Sequence, residues 1–379
     1  MIRPQDLLRE LVAIPSVSKM SNRPVTEWIQ KTLEPLGWHH RVFRYDDAVG
    51  VEKVNLVVSP QLMGDGRIDA ELAIVCHTDT VPFGAEWGEA TELRERDGML
   101  HGCGACDVKG FLACVLAAAS MTKTDELQKQ LCLVFTADEE VGCRGARYLL
   151  ASDAIRARYA IVGEPTSLVP ARAGKGYCLA SVKVTGRAAH SAYPEAGRSA
   201  ILAAARLLGE IETLSREIRQ DRNDAFSPPW TTLNVGEIRG GTAKNVVPAE
   251  CSFLLEWRPI PSQRPEDVLE RLRAIIDRLV AEESWEGLDV QIEVLRKDDG
   301  FETKAESAVI RAVLKDSSSQ VQTIAFGTEA PWMARMGAEA VVIGPGSMLT
   351  AHSPRECVPS AELDECVIML RRAIAELCG

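Results

Sequence analysis

The sequence predicts an α/β protein: a mixed, mostly parallel sheet covered by helices, with an inserted ferredoxin-like β-α-β-β-α-β lid domain. Three observations carry this. Short apolar runs alternate with helical stretches up to about residue 170. The order then changes to strand, helix, two strands, helix and strand. Polar clusters close several of the apolar runs, where ligands sit in open α/β sheets.

The elements follow in order. Helices are expected over 4–14 and 25–36, and strands over 54–58 and 72–76. A helix over 111–121 precedes the run Leu131-Cys-Leu-Val-Phe135, which is rich in strand formers and bounded by polar residues. A helix over 145–150 and a strand over 160–162 complete the first segment, where Pro165 lacks an N–H and stops the ladder. The insertion reads as strand 177–185, helix 199–216, strands 231–238 and 249–258, helix 265–283 and strand 289–295. The end returns to α/β, with a strand over 338–343 and a helix over 360–377. The expected domains are a catalytic domain from 1–174 and 297–379, and a lid from 175–296.

The chemistry concentrates at strand ends. Glu139 and Glu140 stand side by side after 131–135. Adjacent side chains at a strand end diverge, so one carboxylate can hold a metal while the other moves protons. His77 follows the apolar stretch 72–76, and Asp79 is placed to fix its tautomer. Asp107 ends the glycine turn Gly102-Cys-Gly-Ala-Cys-Asp107, Glu164 ends the strand over 160–162, and His352 follows the strand over 338–343. Each alone is as consistent with a solvated turn as with a ligand. Together, two histidines and three acidic positions suit zinc, cobalt or manganese. They exceed what one catalytic zinc needs, so two ions sharing a carboxylate, roughly 3.5–4 Å apart, are expected. Cys103 and Cys106 form a C-x-x-C with no second pair for a zinc ribbon; they read as small turn residues, with a redox role as the alternative. Neither a Gly-x-Gly-x-x-Gly nor a Walker pattern is present.

Composition narrows the function classes. The 379 residues suffice for two domains, and no apolar run approaches the ~20 residues of a membrane span. A net charge of −11 argues against nucleic acid as a partner. The 11 cysteines lack framework spacing and the N-terminus lacks a signal-peptide pattern, so a reduced, cytoplasmic protein is expected.

The ordered motifs His77-Thr-Asp79-Thr-Val-Pro, Gly102-x-Gly-x-x-Asp107-x-Lys-Gly, Thr136-Ala-Asp-Glu139-Glu140 and Gly163-Glu164-Pro-Thr resemble the dinuclear zinc aminoacylase and carboxypeptidase family. That family includes acetylornithine deacetylases, succinyl-diaminopimelate desuccinylases and glutamate carboxypeptidases. The likeness spans nearly the whole chain. Val108 stands where Met is common, and no ligand position is lost. The segments 163–170, Gly327-Thr-Glu-Ala-Pro331 and Gly344-Pro-Gly-Ser resemble the branch that deacetylates N²-acetyl-L-ornithine in arginine biosynthesis. A branch acting on N-acetylcitrulline, the desuccinylases and general aminoacylases are the alternatives within the family. A non-catalytic small-ligand binding protein is the alternative class, and the presence of Glu139 and all ligands argues against it.

The resemblance implies a set of roles. His77, Asp107 and Glu164 hold one zinc, and Asp107, Glu140 and His352 the other, with Asp107 bridging and a cis peptide after it. Glu139 is the general base and acid, and Asp79 orients His77. His190 donates to the oxyanion, commonly across a homodimer formed by the lid. Asn245 and Arg258 face the substrate, Arg258 clamping its α-carboxylate. Thr328 and Glu329 line the far side of the pocket, Glu329 as partner for a cationic side chain.

Overall fold

The apolar run at 72–76 is the middle of a ten-residue strand, Ile68–His77, whose last six residues are all buried. Continuous burial of this kind marks a strand covered on both faces, as in parallel sheets. In the computed structural model, which describes residues 2–84, 86–314 and 320–379, helices α1 (Pro4–Ala13) and α2 (Arg23–Leu33) lead into β1 (His39–Asp46), β2 (Glu52–Ser59) and β3 (Ile68–His77). Then come α3 (Lys109–Met121), β4 (Leu131–Thr136), α4 (Arg144–Ala151) and β5 (Ile155–Val162). The middle holds β6 (Tyr177–Thr185), α5 (Ala200–Glu217), β7 (Thr232–Gly240), β8 (Glu250–Arg258), α6 (Pro265–Val280) and β9 (Asp289–Asp298). The chain closes with α7 (Ala308–Val313), α8 (Ala330–Arg335), β10 (Glu339–Val342) and α9 (Ser360–Cys378).

These elements form two units. The first comprises Met1–Arg172, Glu302–Gln322 and Thr328–Gly379. Its sheet runs β1-β2-β4-β3-β5-β10 and continues into short strands at the edge. β3 is parallel to β4 and β5, and β10 is parallel to β5. β2 is antiparallel to both β1 and β4, so the sheet is mixed. β1 is absent from the sequence reading because its run His-His-Arg-Val-Phe-Arg-Tyr-Asp is polar and largely exposed, as an edge strand can be. Helix α3 is buried from Lys109 to Ala119; its Cys114 thiol donates to the Leu363 carbonyl of α9 at 3.3 Å, and Phe111, Leu112, Leu363 and Leu370 share one apolar core. Each fully buried Leu or Phe contributes about 1.5–3 kcal/mol. The four parallel strands therefore end on the same side of a rigid, apolar platform.

The second unit, Ala173–Phe301 with Thr323–Gly327, is a four-stranded antiparallel sheet in the order β7-β8-β6-β9. With α5 and α6 this is the expected β-α-β-β-α-β arrangement. β6 alternates buried and half-buried positions, as a sheet covered on one face does. Ala180, Val182, Leu255 and Trp257 pack with Leu207 and Leu272 of the helices. Among the described residues, no helix is long and apolar enough to cross a membrane.

Candidate metal centre and active site

Each of the four parallel strands of the first unit, β3, β4, β5 and β10, leads into a candidate ligand side chain beyond its carboxyl end. His77 closes β3, Glu139 and Glu140 follow β4, Glu164 follows β5, and His352 lies in the loop after β10. Asp107 arrives from the glycine turn ahead of α3. Gly104 in that turn has φ +77, and a Cβ there would lie 2.9 Å from Thr80. Gly163, just before Glu164, has no room for a Cβ against the Phe111 ring. The peptide bond Asp107–Val108 is cis.

The ligand atoms of His77, Asp107 and Glu164 lie within 4.8 Å of one another, and so do those of Asp107, Glu140 and His352. Asp107 belongs to both groups. Its Oδ1 is 3.1 Å from His77 Nε2, and its Oδ2 is 3.0 Å from His352 Nε2. His352 Nε2 also lies 3.1 Å from Glu140. One carboxylate thus offers an oxygen to each of two clusters, as a bridging ligand must.

The donor set fits divalent cations. It is oxygen and nitrogen only. Glu164 is 2% exposed, and its Oε1 has no hydrogen-bond partner. A buried carboxylate oxygen without a partner is costly unless a cation satisfies it. Burial drives the Glu164 carboxyl well above its ordinary range, and Asp107 and Glu139 push the same way. Glu139 is pushed up to about 8, first by burial and also by Glu140. Hydrogen bonds to Asp107 and Glu140 push His352 up to about 10. Burial opposes charge on His77, but Asp107 outweighs it and raises this imidazole too. Asp107 goes the other way: burial opposes its charge, but its contacts with His352 and His77 hold its carboxyl well below the ordinary range.

Asp79 works differently from the sequence expectation. His77 Nδ1 lies 3.0 Å from the backbone carbonyl of Asp79 and 3.7 Å from its carboxylate. The backbone oxygen therefore fixes the tautomer. The carboxylate instead accepts the backbone N–H groups of Glu139 at 3.1 Å and Glu140 at 3.3 Å. Asp138 between β4 and this pair adopts φ +58. Glu139 Oε1 receives the Cys143 thiol at 3.3 Å.

Thr328 and Glu329 also belong to the first unit. Thr328 is 5% exposed and Glu329 1% exposed at the start of α8. Burial pushes Glu329 up to about 7, opposed by the Thr136 hydroxyl and by His77. Glu329 is thus a buried carboxylate that feels the charge of His77.

The second unit carries His190, Asn245 and Arg258. Ala189–His190 pairs with Val246–Val247, and the Asn245 carbonyl accepts the Ser191 N–H at 3.0 Å. This brings His190 and Asn245 close in the fold. His190 is exposed, and its Nδ1 accepts the Ala192 N–H at 3.1 Å. Arg258 pairs with Glu256 at 2.9 Å, donates to the Ala325 carbonyl at 2.6 Å and lies over the Tyr177 ring.

Sequence reasoning missed Glu356. It is 1% exposed, and one oxygen accepts the N–H groups of Cys106 and Asp107, each at 3.0 Å. The contact spans about 250 residues of chain, and no local pattern signals it. Lys53 was also missed. A lysine bordering an apolar strand is a signal, since a buried ammonium needs a partner.

The peptidase family M20/M25/M40 model matches residues 73–376. The chain belongs to this family. An acetylornithine deacetylase of Myxococcus xanthus is 48% identical over 98% of this chain and 97% of its own length. One of Pasteurella multocida is 34% identical over 97% and 96%. Among solved structures, an aminopeptidase of Bacillus cereus matches with a TM-score of 0.74 at 22% identity, covering 99% of this chain and 98% of its own. A dinuclear metal-binding M20 peptidase of Bacillus subtilis matches with 0.69 at 15% identity, over 98% and 96%. At these identities the structural matches speak for the fold alone. Family membership and the clustered ligands make the chain a metal-dependent hydrolase with a divalent metal site.

Proposed function

We propose that this enzyme hydrolyses N²-acetyl-L-ornithine to L-ornithine and acetate, within arginine biosynthesis. The observation that carries the hydrolytic reading is the Asp107 carboxylate, shared between two ligand clusters with Glu139 beside them. The substrate rests on the acetylornithine deacetylases that match along nearly the whole chain. It also rests on the segment Gly327-Thr-Glu-Ala-Pro331.

His77, Asp107 and Glu164 hold one ion, and Asp107, Glu140 and His352 the other. We assign zinc, for which cobalt or manganese can substitute. Such ions supply electrophilic activation of water and of the amide carbonyl. Glu139, left out of both clusters, removes a proton from the attacking water. It returns that proton to the amide nitrogen as the C–N bond breaks, releasing acetate and the free amine. Asp79 keeps Glu139 and Glu140 in register through their backbone N–H groups.

The second unit supplies the remaining groups in this reading. It acts as a lid and as the surface of a homodimer. His190 donates to the carbonyl oxygen as charge develops there, Arg258 receives the α-carboxylate, and Asn245 lines the same region. Thr328 lines the pocket, and Glu329 supplies negative charge that favours a cationic side chain. The setting is the cytoplasm.

Comparing kcat/KM for acetylornithine, acetylcitrulline, succinyl-diaminopimelate and acetylmethionine tests the substrate. The expected order places acetylornithine first, and Glu329→Gln narrows its lead over neutral substrates. A wild-type preference for a neutral side chain would overturn the ornithine assignment and leave the hydrolytic centre intact.

A further inference from the structure

Polar side chains that the proposed chemistry does not use converge on Lys53. Lys53 lies on β2 and is 1% exposed. Its ammonium is 2.9 Å from Asp138 Oδ1 and donates to the carbonyls of Ser18 and Met20. The Ser18 hydroxyl donates to Asp79 Oδ2 at 2.7 Å. Asp79 in turn accepts the N–H groups of Glu139 and Glu140. Glu139 follows Asp138 in the chain, so the contacts close a ring: Lys53, Ser18, Asp79, Glu139, Asp138 and back to Lys53. Ser18, Asp79 and Asp138 are 6%, 2% and 1% exposed. The other Asp138 oxygen receives the Tyr45 hydroxyl at 3.0 Å.

We propose that Lys53 is a positioning residue for Glu139 and Glu140. Two features of the ring carry this. First, the turn that presents the two carboxylates begins with a left-handed residue, Asp138 at φ +58. A turn of that kind has other conformations close by, and something must select one. Second, the selecting contact is a buried ion pair. Rotating the turn would leave an ammonium or a carboxylate unpaired in the interior, which is strongly unfavourable. The loop at Ser18 is fastened by the same ammonium, so the two sides of Asp79 are set together. Catalytic groups lose rate on displacements of about 1 Å, so a contact that fixes this turn reaches the reaction without touching it.

The inference rests on Glu139 as proton carrier and Glu140 as metal ligand. The alternative is that Lys53 serves only to keep the fold. Four variants separate the two: Lys53→Met, Lys53→Met with Asp138→Asn, Ser18→Ala and Glu139→Gln. The measurements are the thermal midpoint, Co²⁺ binding followed by visible absorption, and kcat and KM for N²-acetyl-L-ornithine. The double variant removes the Lys53–Asp138 pair whole and leaves Asp47, 3.8 Å from Lys53, held by the Val49 and Val51 N–H groups, so its midpoint should recover in large part from that of Lys53→Met. Its kcat should stay about 10–100-fold low with KM little changed, and its second Co²⁺ should bind more weakly. Ser18→Ala removes a link without stranding a charge, and it should lower kcat at a near-normal midpoint. It decides alone where the Lys53 variants do not fold. Wild-type kcat and Co²⁺ binding in the double variant, or in Ser18→Ala, would overturn the proposal. Full turnover by Glu139→Gln would instead overturn the reading beneath it. An inactive Glu139→Gln beside a fully active double variant sinks only the role of Lys53.

Discussion

The Asp79 carboxylate accepts the backbone N–H of Glu139 at 3.1 Å. A side chain two residues beyond the strand-end histidine therefore holds the backbone of the proposed general base. This couples the end of β3 to the turn after β4. Asp79→Ala removes the acceptor for both Glu139 and Glu140. We expect kcat to fall by about 10–100-fold, with weaker binding of the ion that Glu140 holds. Steady-state kinetics beside metal analysis checks this, and an Asp79→Ala enzyme with normal kcat would contradict it.

Glu356 plays the matching part for Asp107. Its carboxylate receives the N–H groups of Cys106 and Asp107 from a buried position. Glu356→Ala leaves two interior N–H groups unpaired, each costing about 1–3 kcal/mol. The variant should unfold at a lower urea midpoint and bind both ions more weakly, since Asp107 serves both. Glu356→Gln keeps an acceptor and should recover most of the stability. If alanine and glutamine behave alike, the acceptor role is wrong.

The strand-end candidates were legible because each lies beyond an apolar run, and period and polarity report that locally. His77, Glu140, Glu164 and His352 all stand beyond such runs, and the structure gathers them with Asp107. What escaped was whatever depends on partners distant in sequence. The direction of the Asp79 carboxylate is set by amides sixty residues on. Glu356 meets a turn about 250 residues earlier. β1 escaped because its polar edge sequence carries no burial signal. The depth of Glu329, 1% exposed, was not legible either, because it depends on how α8 packs rather than on its own segment.

Metal and proton compete for the same carboxylates and imidazoles, and this sets a pH dependence. Glu139 is held at about 8 and His352 at about 10. Both lie above the unfolded values of ~4.3 and ~6.5. A raised group contributes its full stability below its unfolded pKa and loses it as pH rises through the folded one. Chelator-treated protein should therefore lose stability as pH rises from about 4 through 8 on account of Glu139, and from about 6.5 through 10 on account of His352. Bound dications displace the proton on His352 and oppose the one on Glu139 through their charge, so the Tm gap between zinc-loaded and chelated protein should widen between about pH 6 and pH 8. Calorimetry at the two pH values reads the gap directly. A gap that narrows with pH would contradict the electrostatic description of the site.

The central claim is that Glu139 moves the proton at a two-metal centre bridged by Asp107. Acetate release from N²-acetyl-L-ornithine, titrated with zinc into metal-stripped wild type and Glu139→Gln, tests it most directly. Wild-type turnover should rise to a plateau near two equivalents. Glu139→Gln should bind the same zinc yet turn over about 10²–10⁴-fold more slowly. Acetate release that survives complete metal removal, or a Glu139→Gln enzyme as fast as wild type, would contradict it.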